Sequence, residues 1–156
     1  MKNLINIKFI IILLIISGCG YKPIFSSKDV NFSIEKINLE GDKKINKTIV
    51  RKLAIFKNKG NNVKLLNLEI SSQVNKITSS KDTKGNPKTY RLEISTNIKI
   101  SELEKLKFNK NFSKSLNYNN SPNKFELKKY EEKNKENLSE EISKDIIIYL
   151  LSLYKK

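Results

Sequence analysis

Few side chains in this 156-residue sequence are suited to covalent chemistry. The chain has one cysteine, Cys19, and no histidine, so it cannot assemble a Cys–His or Ser–His pair or a metal site built from several His and Cys ligands. Its 16 acidic residues could supply a carboxylate pair, but no Asp cluster has the spacing of a calcium loop. Most acids stand beside lysines on predicted helix faces. The sequence therefore predicts a protein that is not an enzyme, binds no metal and uses no cofactor.

The single cysteine follows a short apolar segment. Residues 1–9 contain two lysines and no acid, residues 10–16 are all apolar, and Ser17 and Gly18 precede Cys19. This order is typical of a secretory signal, and the apolar run is shorter than the about 20 residues that a membrane-spanning helix needs. Small residues directly before a cysteine favour a bacterial lipoprotein signal, in which the thiol receives a diacylglycerol. The alternative is an ordinary signal peptide with an incidental cysteine.

The signal pattern divides the chain into three predicted segments. These are a lipoprotein signal peptide at residues 1–18, a lipidated tether at 19–29 and a single domain at 30–156. Cys19 would carry a diacylglycerol and an N-acyl chain, which together hold a protein firmly on a membrane. Gly20, where an Asp would retain an enteric lipoprotein on the inner membrane, is compatible with the periplasmic side of the outer membrane.

The net charge of +15 indicates attraction to polyanions. For an exported protein, lipopolysaccharide and anionic lipid are the abundant candidates, and no recognisable nucleic-acid module is present. The alternative explanation is compositional, because Lys, Asn and Ile are all heavily used, as in an AT-rich genome.

Apolar periodicity predicts six elements in the domain. Strands are expected at residues 30–39, 63–77, 90–100 and 106–118, the first with a bulge after Ile34. Asp42 is the predicted N-cap of a helix whose apolar stripe runs from Ile45 to Phe56. A polar loop at 78–88 should join the second and third strands as a hairpin. A C-terminal helix is expected to start at Ser121 and Pro122, with an ion pair between Glu131 and Lys135.

These elements predict an α+β fold of order β-α-β-β-β-α. Two helices packed on one face of a four-stranded, mainly antiparallel sheet would form a two-layer sandwich and bury every apolar stripe.

The residues GCGYKPIF at 18–25 and this order of elements resemble the LptE-type lipopolysaccharide-assembly lipoproteins. The hairpin strand KTYRLEISTNIKI and the polar residues before Ser121-Pro122 fit the same family. The resemblance implies a non-enzymatic lipoprotein that partners and plugs the outer-membrane barrel LptD and binds lipopolysaccharide. It also implies that basic residues near the hairpin tip and the start of the last helix contact lipopolysaccharide, which selects Lys81, Lys84, Arg91 and Lys128.

Other classes of function remain open at this point. The main alternative is a free-standing envelope lipoprotein that binds anionic lipid or polysaccharide for another assembly machine. An envelope enzyme using two carboxylates is a third hypothesis, although no acid pair stands out in the sequence.

Overall fold

The structure, a computed structural model, describes residues 30–57 and 63–154. A short 3₁₀ turn at Ala54–Phe56 follows the first helix. The other elements, in chain order, are β1 (Phe32–Gly41), α1 (Lys43–Leu53), β2 (Lys64–Lys81), β3 (Pro87–Glu102), β4 (Lys105–Asn119) and α2 (Lys124–Leu153).

The four strands form one sheet in the order β1-β2-β3-β4. β1 pairs with β2 in parallel, and the other two pairs are antiparallel. The parallel pair follows from connectivity, because α1 carries the chain back to the end of the sheet where β1 begins. The register shifts between Ile34 and Lys36, which confirms the predicted bulge. The predicted α+β class and element order are confirmed.

A single glycine permits the junction between β1 and α1. Gly41 has a φ of +85°, and a Cβ there would stand 1.9 Å from the carbonyl oxygen of Ser72. Only glycine accepts both the left-handed backbone and this close approach. Asp42 then caps α1 as predicted, since its Oδ1 accepts hydrogen bonds from the backbone N–H groups of Lys44 and Ile45 at 2.9 and 3.0 Å.

Both helices pack on the same face of the sheet, and the core lies between the two layers. Alternate residues of β3 point into it, while the residues between them face away from the helices. α1 contributes Ile45, Ile49 and Leu53 of the predicted stripe, the 3₁₀ turn contributes Phe56, and all four are buried. The fully buried apolar side chains of α2 are Ile142, Ile146 and Leu150.

Three local expectations were wrong. The predicted loop at 78–88 is mostly strand, because β2 continues to Lys81 and β3 starts at Pro87. α2 is capped by Asn123 rather than Ser121, with Asn123 Oδ1 accepting from the N–H of Glu126 at 3.1 Å. Glu131 does not pair with Lys135, because each finds a partner outside its own helix.

The predicted signal peptide, the tether and Cys19 lie outside the described residues. None of the described helices combines the length and the apolar character needed to cross a membrane.

Candidate functional site

The turn of the β2–β3 hairpin has a well-defined geometry. Asp82 Oδ1 accepts hydrogen bonds from the backbone N–H groups of Lys84 and Asn86 at 2.9 and 2.8 Å. Gly85 supplies the left-handed residue, with a φ of +84°. The hydrogen bond from the Asn86 N–H, with help from the neighbouring N–H groups, lowers the pKa of Asp82 and keeps it ionised. The turn therefore holds Lys81, Lys84 and Lys88 on a fixed backbone.

The four predicted basic residues lie at the same end of the sheet but on different surfaces. Lys81 and Lys84 are exposed at the hairpin tip. Arg91 lies on the sheet face that the helices leave uncovered, where its Nε and Nη2 donate to Ser115 Oγ at 3.2 and 3.0 Å. Lys128 is exposed in the second turn of α2, on the helix side. A ligand that touched all four would have to wrap around this end of the sheet.

A short connection joins the hairpin to the start of α2. The Asn120 side-chain amide donates to the Pro87 carbonyl at 2.8 Å, and the Asn120 backbone N–H donates to the Lys88 carbonyl at 2.9 Å. Lys124 Nζ in turn donates to Asn120 Oδ1 at 3.2 Å. These hydrogen bonds connect the β2–β3 turn to the first turns of α2. We call this end of the sheet, with Lys81, Lys84, Lys88, Lys124 and Lys128, the hairpin end.

Cations of the hairpin end lack the acidic partners that cations of the helix layer have. Within residues 30–57 and 63–154, none of Lys81, Lys84, Lys88 and Lys128 forms an ion pair. By contrast, acids of α2 pair with the cations of α1, as in Lys44 with Glu132, and Lys135 Nζ lies 2.6 Å from Asp42 Oδ2. The hairpin end is therefore one of the surfaces where a phosphate or carboxylate group would meet ammonium groups that have no acidic partner among the described residues.

A tyrosine cluster supports the same end from the helix side. The rings of Tyr90, Tyr118 and Tyr130 pack in series, tilted against each other, with neighbouring centroids 5.7 Å apart. Tyr118 donates its phenol hydrogen to Glu131 Oε1 at 2.7 Å, and Lys76 Nζ lies 2.6 Å from the same oxygen. Lys76 Nζ also sits 4.1 Å from the centroid of the Tyr90 ring.

The pKa shifts of the cluster follow from burial and these contacts. Partial burial is the largest influence on Tyr118, and with the carboxylate of Glu131 it raises the pKa of the phenol well above its ordinary value. Burial would also raise the pKa of Glu131, but the hydrogen bonds from Lys76 and Tyr118 outweigh it, and the pKa is lowered. Tyr118 therefore stays a neutral donor and Glu131 a charged acceptor. Because Tyr118 and Glu131 are hydrogen-bonded to each other and Glu131 also pairs with Lys76, the network positions the start of α2 and leaves neither side chain free to act as a base.

An open cavity of about 740 Å³ lies beside the cluster. Its wall combines hydroxyl, amide and aromatic groups with one acid, and its lining includes Thr89, Asn117, Tyr118, Ser121, Glu126 and Tyr130. No group of three or more His, Cys, Asp or Glu side chains in the described parts of the chain could hold a metal ion.

The uncovered face of the sheet is polar, and its centre is rich in amide and hydroxyl groups. Residues of β3 on this face pair with Asn and Ser residues of β4, such as Asn97 with Asn111 and Ser95 with Ser113. Two cations of this face have acidic neighbours, since Lys99 Nζ lies 3.4 Å from Glu69 and Arg91 Nε lies 3.9 Å from Glu93. The face therefore offers mainly amide and hydroxyl groups for hydrogen bonds.

Solved structures with a similar fold are lipoproteins. Rare lipoprotein B from Shewanella oneidensis has a TM-score of 0.59 at 16% identity, over 76% of this chain and 96% of that one. Lipoprotein B from Nitrosomonas europaea has a TM-score of 0.60 at 12% identity, over 81% and 87%. A minor lipoprotein from Acinetobacter baumannii has 0.59 at 7% identity, over 79% and 92%. No protein-family model and no curated protein sequence matches the chain. At these identities the likeness establishes a shared fold.

Reasoning from sequence missed the tyrosine cluster and the cavity. Strand alternation places Tyr90 and Tyr118 on the helix-facing side of β3 and β4, and this alternation could have predicted that the two rings lie near each other. The Lys76–Glu131 contact joins residues 55 positions apart in the chain, so no local pattern could indicate it.

Proposed function

We propose that this chain is a non-enzymatic, lipid-anchored envelope protein of the LptE type, which partners an LptD-like outer-membrane barrel and binds lipopolysaccharide during its assembly at the cell surface. The observation that carries the proposal is the fold, which is similar over at least three quarters of the chain to those of lipoproteins from three bacteria. The spacing of signal, small residues and Cys19 supports lipid attachment independently of the fold.

The charge distribution supports an anionic ligand at the hairpin end. Lipopolysaccharide presents phosphate and acidic sugar groups, and unpaired lysines on a rigid support can meet them without first breaking ion pairs. We propose Lys81, Lys84 and Lys128 as contact residues, with Arg91 approached from the uncovered face. Lys88, at the base of the same turn, joins this set.

The polar face of the sheet supports a barrel partner. The interior of an outer-membrane barrel is polar, and a surface whose centre is rich in amides and hydroxyls can form hydrogen bonds with such a wall. Asn97, Asn111, Ser95 and Ser113 lie in the centre of this surface. The barrel contact is proposed for this face, and the lipopolysaccharide contact for the hairpin end.

The first experiment is a pull-down of the tagged full-length protein, processed by its own host, from envelopes in mild detergent, with bound proteins identified by mass spectrometry. A near-stoichiometric large barrel protein is expected. Recovery of the lipoprotein alone from a host that has such a barrel would contradict the partnership and favour the free-standing anion-binding alternative.

Lipid attachment is tested separately by growing cells with labelled palmitate. The unsubstituted protein should carry the label, and the Cys19→Ala variant should not. Label in both variants, or in neither, would contradict Cys19 as the attachment residue.

A further inference from the structure

The end of the sheet opposite the hairpin end carries exposed leucines. Leu103 is 90% exposed, Leu106 58% and Leu65 51%. Leu66 pairs with Glu102, so Leu65 is level with the β3–β4 turn that contains Leu103, and Leu106 pairs with Ser101 just inside that turn. We call Leu65, Leu103 and Leu106 the leucine end. Large apolar side chains gathered at one end of a domain often mark an interaction surface.

The backbone at Leu103 makes this exposure notable. Leu103 and Glu104 form the two central residues of the turn, with φ of +46° and +64°. This left-handed region favours Asn, Asp or Gly, and leucine is poorly suited to it. A leucine that is both strained and exposed contributes little to folding. Its position is better explained by a contact with something outside the domain.

Lysines surround the leucine end. Lys57, Lys64, Lys105 and Lys107 are exposed there, and none forms an ion pair with another described residue. The acids at this end are Glu35, Glu104 and Glu102, which accepts a hydrogen bond from the Tyr154 phenol at 2.7 Å. Lys64 Nζ lies over the Tyr154 ring at 5.2 Å from its centroid. An apolar tip ringed by ammonium groups complements a surface with an apolar interior and anionic headgroups.

The chain enters the domain at this same end. Lys64 N–H donates to the Asn31 carbonyl at 2.9 Å, and Phe32 pairs with Lys64, so β1 begins beside the start of β2. Cys19 precedes Val30 by only eleven positions. Even a fully extended chain of that length reaches about 40 Å. A lipid on Cys19 would thus keep the leucine end, where the chain enters the domain, within about 40 Å of the membrane.

We propose that the leucine end docks on the phospholipid leaflet that holds the lipid of Cys19. Leu103, Leu106 and Leu65 enter the boundary between headgroups and acyl chains, and the surrounding lysines contact anionic headgroups. This inference rests on the proposed lipid attachment. A second copy of the chain is a poor occupant, because two leucine ends facing each other would bring their lysines together. The docked state is that of the lipoprotein outside a barrel, because a domain whose sheet face lies against the inner wall of a barrel is separated from the leaflet by that wall.

Since the chain contains no tryptophan, a single Leu103→Trp substitution provides a local reporter. The matched control is Phe125→Trp, because Phe125 is an apolar residue, 75% exposed, near the start of α2 at the other end of the sheet. The lipidated full-length protein is reconstituted into vesicles that contain anionic phospholipid, with and without lipids brominated on the acyl chains. Bromine should quench the Leu103→Trp emission roughly twofold more than that of the control.

The outcomes separate docking from anchoring. Protein that floats with the vesicles but shows equal quenching, or none, in both variants would overturn the docking proposal and leave lipid attachment intact. Protein that fails to float would contradict lipid attachment itself.

Tryptophan itself binds at membrane interfaces, so a second measurement uses variants without tryptophan. Hydrogen exchange of residues 101–107 is compared between the unsubstituted protein and the Leu103→Asn variant, both in vesicles. Each protein is compared with itself in detergent, and vesicles are expected to slow exchange in the unsubstituted protein but not in the variant, because Asn keeps the turn but removes the apolar contact. Equal slowing in the two proteins, or slowing that requires a co-purified envelope protein, would overturn the proposal.

Discussion

The two hairpin turns at opposite ends of the sheet solve the same geometric problem with different residues. The turn at 82–86 uses Asp82 to accept backbone hydrogen bonds and Gly85 at the left-handed position. The turn between β3 and β4 places Leu103 and Glu104 in left-handed conformations instead. The first turn has the residues that its backbone requires, and it presents lysines. The second has residues that strain its backbone, and it presents a leucine.

This difference indicates which constraint acts at each end. At the hairpin end, the residue types are those that the turn backbone favours. The consequence is a rigid backbone that carries the lysines. At the leucine end, the side chain that the turn would prefer is absent, and an exposed apolar group stands in its place. Local disagreement of this kind is expected where a residue serves a contact outside the fold.

The largest expected effect tests where the anionic ligand binds. Replacing Lys81, Lys84 and Lys88 with Glu should weaken lipopolysaccharide binding on the order of 100-fold, about 2.7 kcal/mol, because three attractive contacts become repulsive. The free energy of unfolding should change by less than about 0.5 kcal/mol, since all three residues lie on the surface. Binding is measured by titration of purified protein at two salt concentrations, and the difference should shrink at high salt.

The control for this prediction changes the same number of charges at the other end. The triple variant Lys57→Glu, Lys105→Glu, Lys107→Glu should bind lipopolysaccharide within a few-fold of the unsubstituted protein. If both triple variants lose binding equally, net charge and not the hairpin end controls the affinity.

A smaller effect, on the free energy of unfolding, is expected when a hydrogen bond that supports the hairpin end is removed. Tyr118→Phe removes the hydrogen bond to Glu131 and should reduce the free energy of unfolding by about 1–2 kcal/mol, as for a bond to a partly buried charged acceptor. Chemical denaturation at neutral pH measures the loss. Tyr130→Phe removes a hydroxyl from a half-exposed ring of the same cluster and should cost less than about 0.5 kcal/mol. An equal loss in both variants would mean that the hydrogen bond to Glu131 has no special contribution.

The same variant has a defined pH dependence. The pKa of Glu131 is lowered in the folded protein from its ordinary value of 4.5, so its contribution to stability is present above that value and is lost as the pH falls through the folded pKa. Tyr118→Phe removes one cause of the lowering. The stability gap between the two proteins should therefore narrow as the pH falls below about 4.5. A gap that is constant from pH 7 to pH 3 would contradict this account.

Gly85→Ala tests whether the hairpin turn depends on its left-handed residue. Nothing lies within 4 Å of a Cβ placed at Gly85, so the only cost is conformational. We expect a loss of about 1 kcal/mol in the free energy of unfolding, with lipopolysaccharide binding reduced only slightly. Gly85→Asn, which tolerates the same backbone, should cost less than the alanine variant, and an equal or larger cost would point to a steric cause.

The smallest effect has the opposite sign. Leu103→Asn should increase the free energy of unfolding by about 0.5 kcal/mol, because Asn accepts the left-handed conformation and leucine does not. Thermal unfolding of the purified full-length protein measures this gain. Leu103→Ala keeps the disfavoured backbone and should give no comparable gain. Destabilisation by Leu103→Asn would mean that the leucine supports the fold.

Much of the fold could be predicted because it depends on local periodicity. Strict alternation in β3 and the four-residue spacing in α1 each identify one apolar face, and burying those faces leaves few arrangements. The cap at Asp42 was also predictable, since a capping side chain bonds to its own first turn. The cap of α2 was not, because Ser121 and Asn123 are both good caps and tertiary contacts through Asn120 decide which one starts the helix.

The candidate site was less predictable than the fold. The sequence indicated that lysines cluster around the hairpin, but exposed lysines are common throughout this chain. What distinguishes Lys81 and Lys84 from Lys44 and Lys135 is the absence of an acidic partner among the described residues. Partners such as Glu132 and Asp42 approach from elements about 90 positions away, so only the packing of α2 against α1 decides which cations remain free.

The sequence by itself determined the element order, the α+β class, the absence of histidine chemistry and the pattern around Cys19, because each of these depends on residue type or short-range spacing. Tertiary structure decided that the hairpin lysines and the leucine end lie at opposite ends of one sheet, with the chain entering beside the leucines. That arrangement depends on strand register and on the parallel β1–β2 pair, which join residues far apart in the chain. Local periodicity limits the register to shifts that keep each apolar face buried, but it does not specify that β1 pairs with β2 or that the pair is parallel.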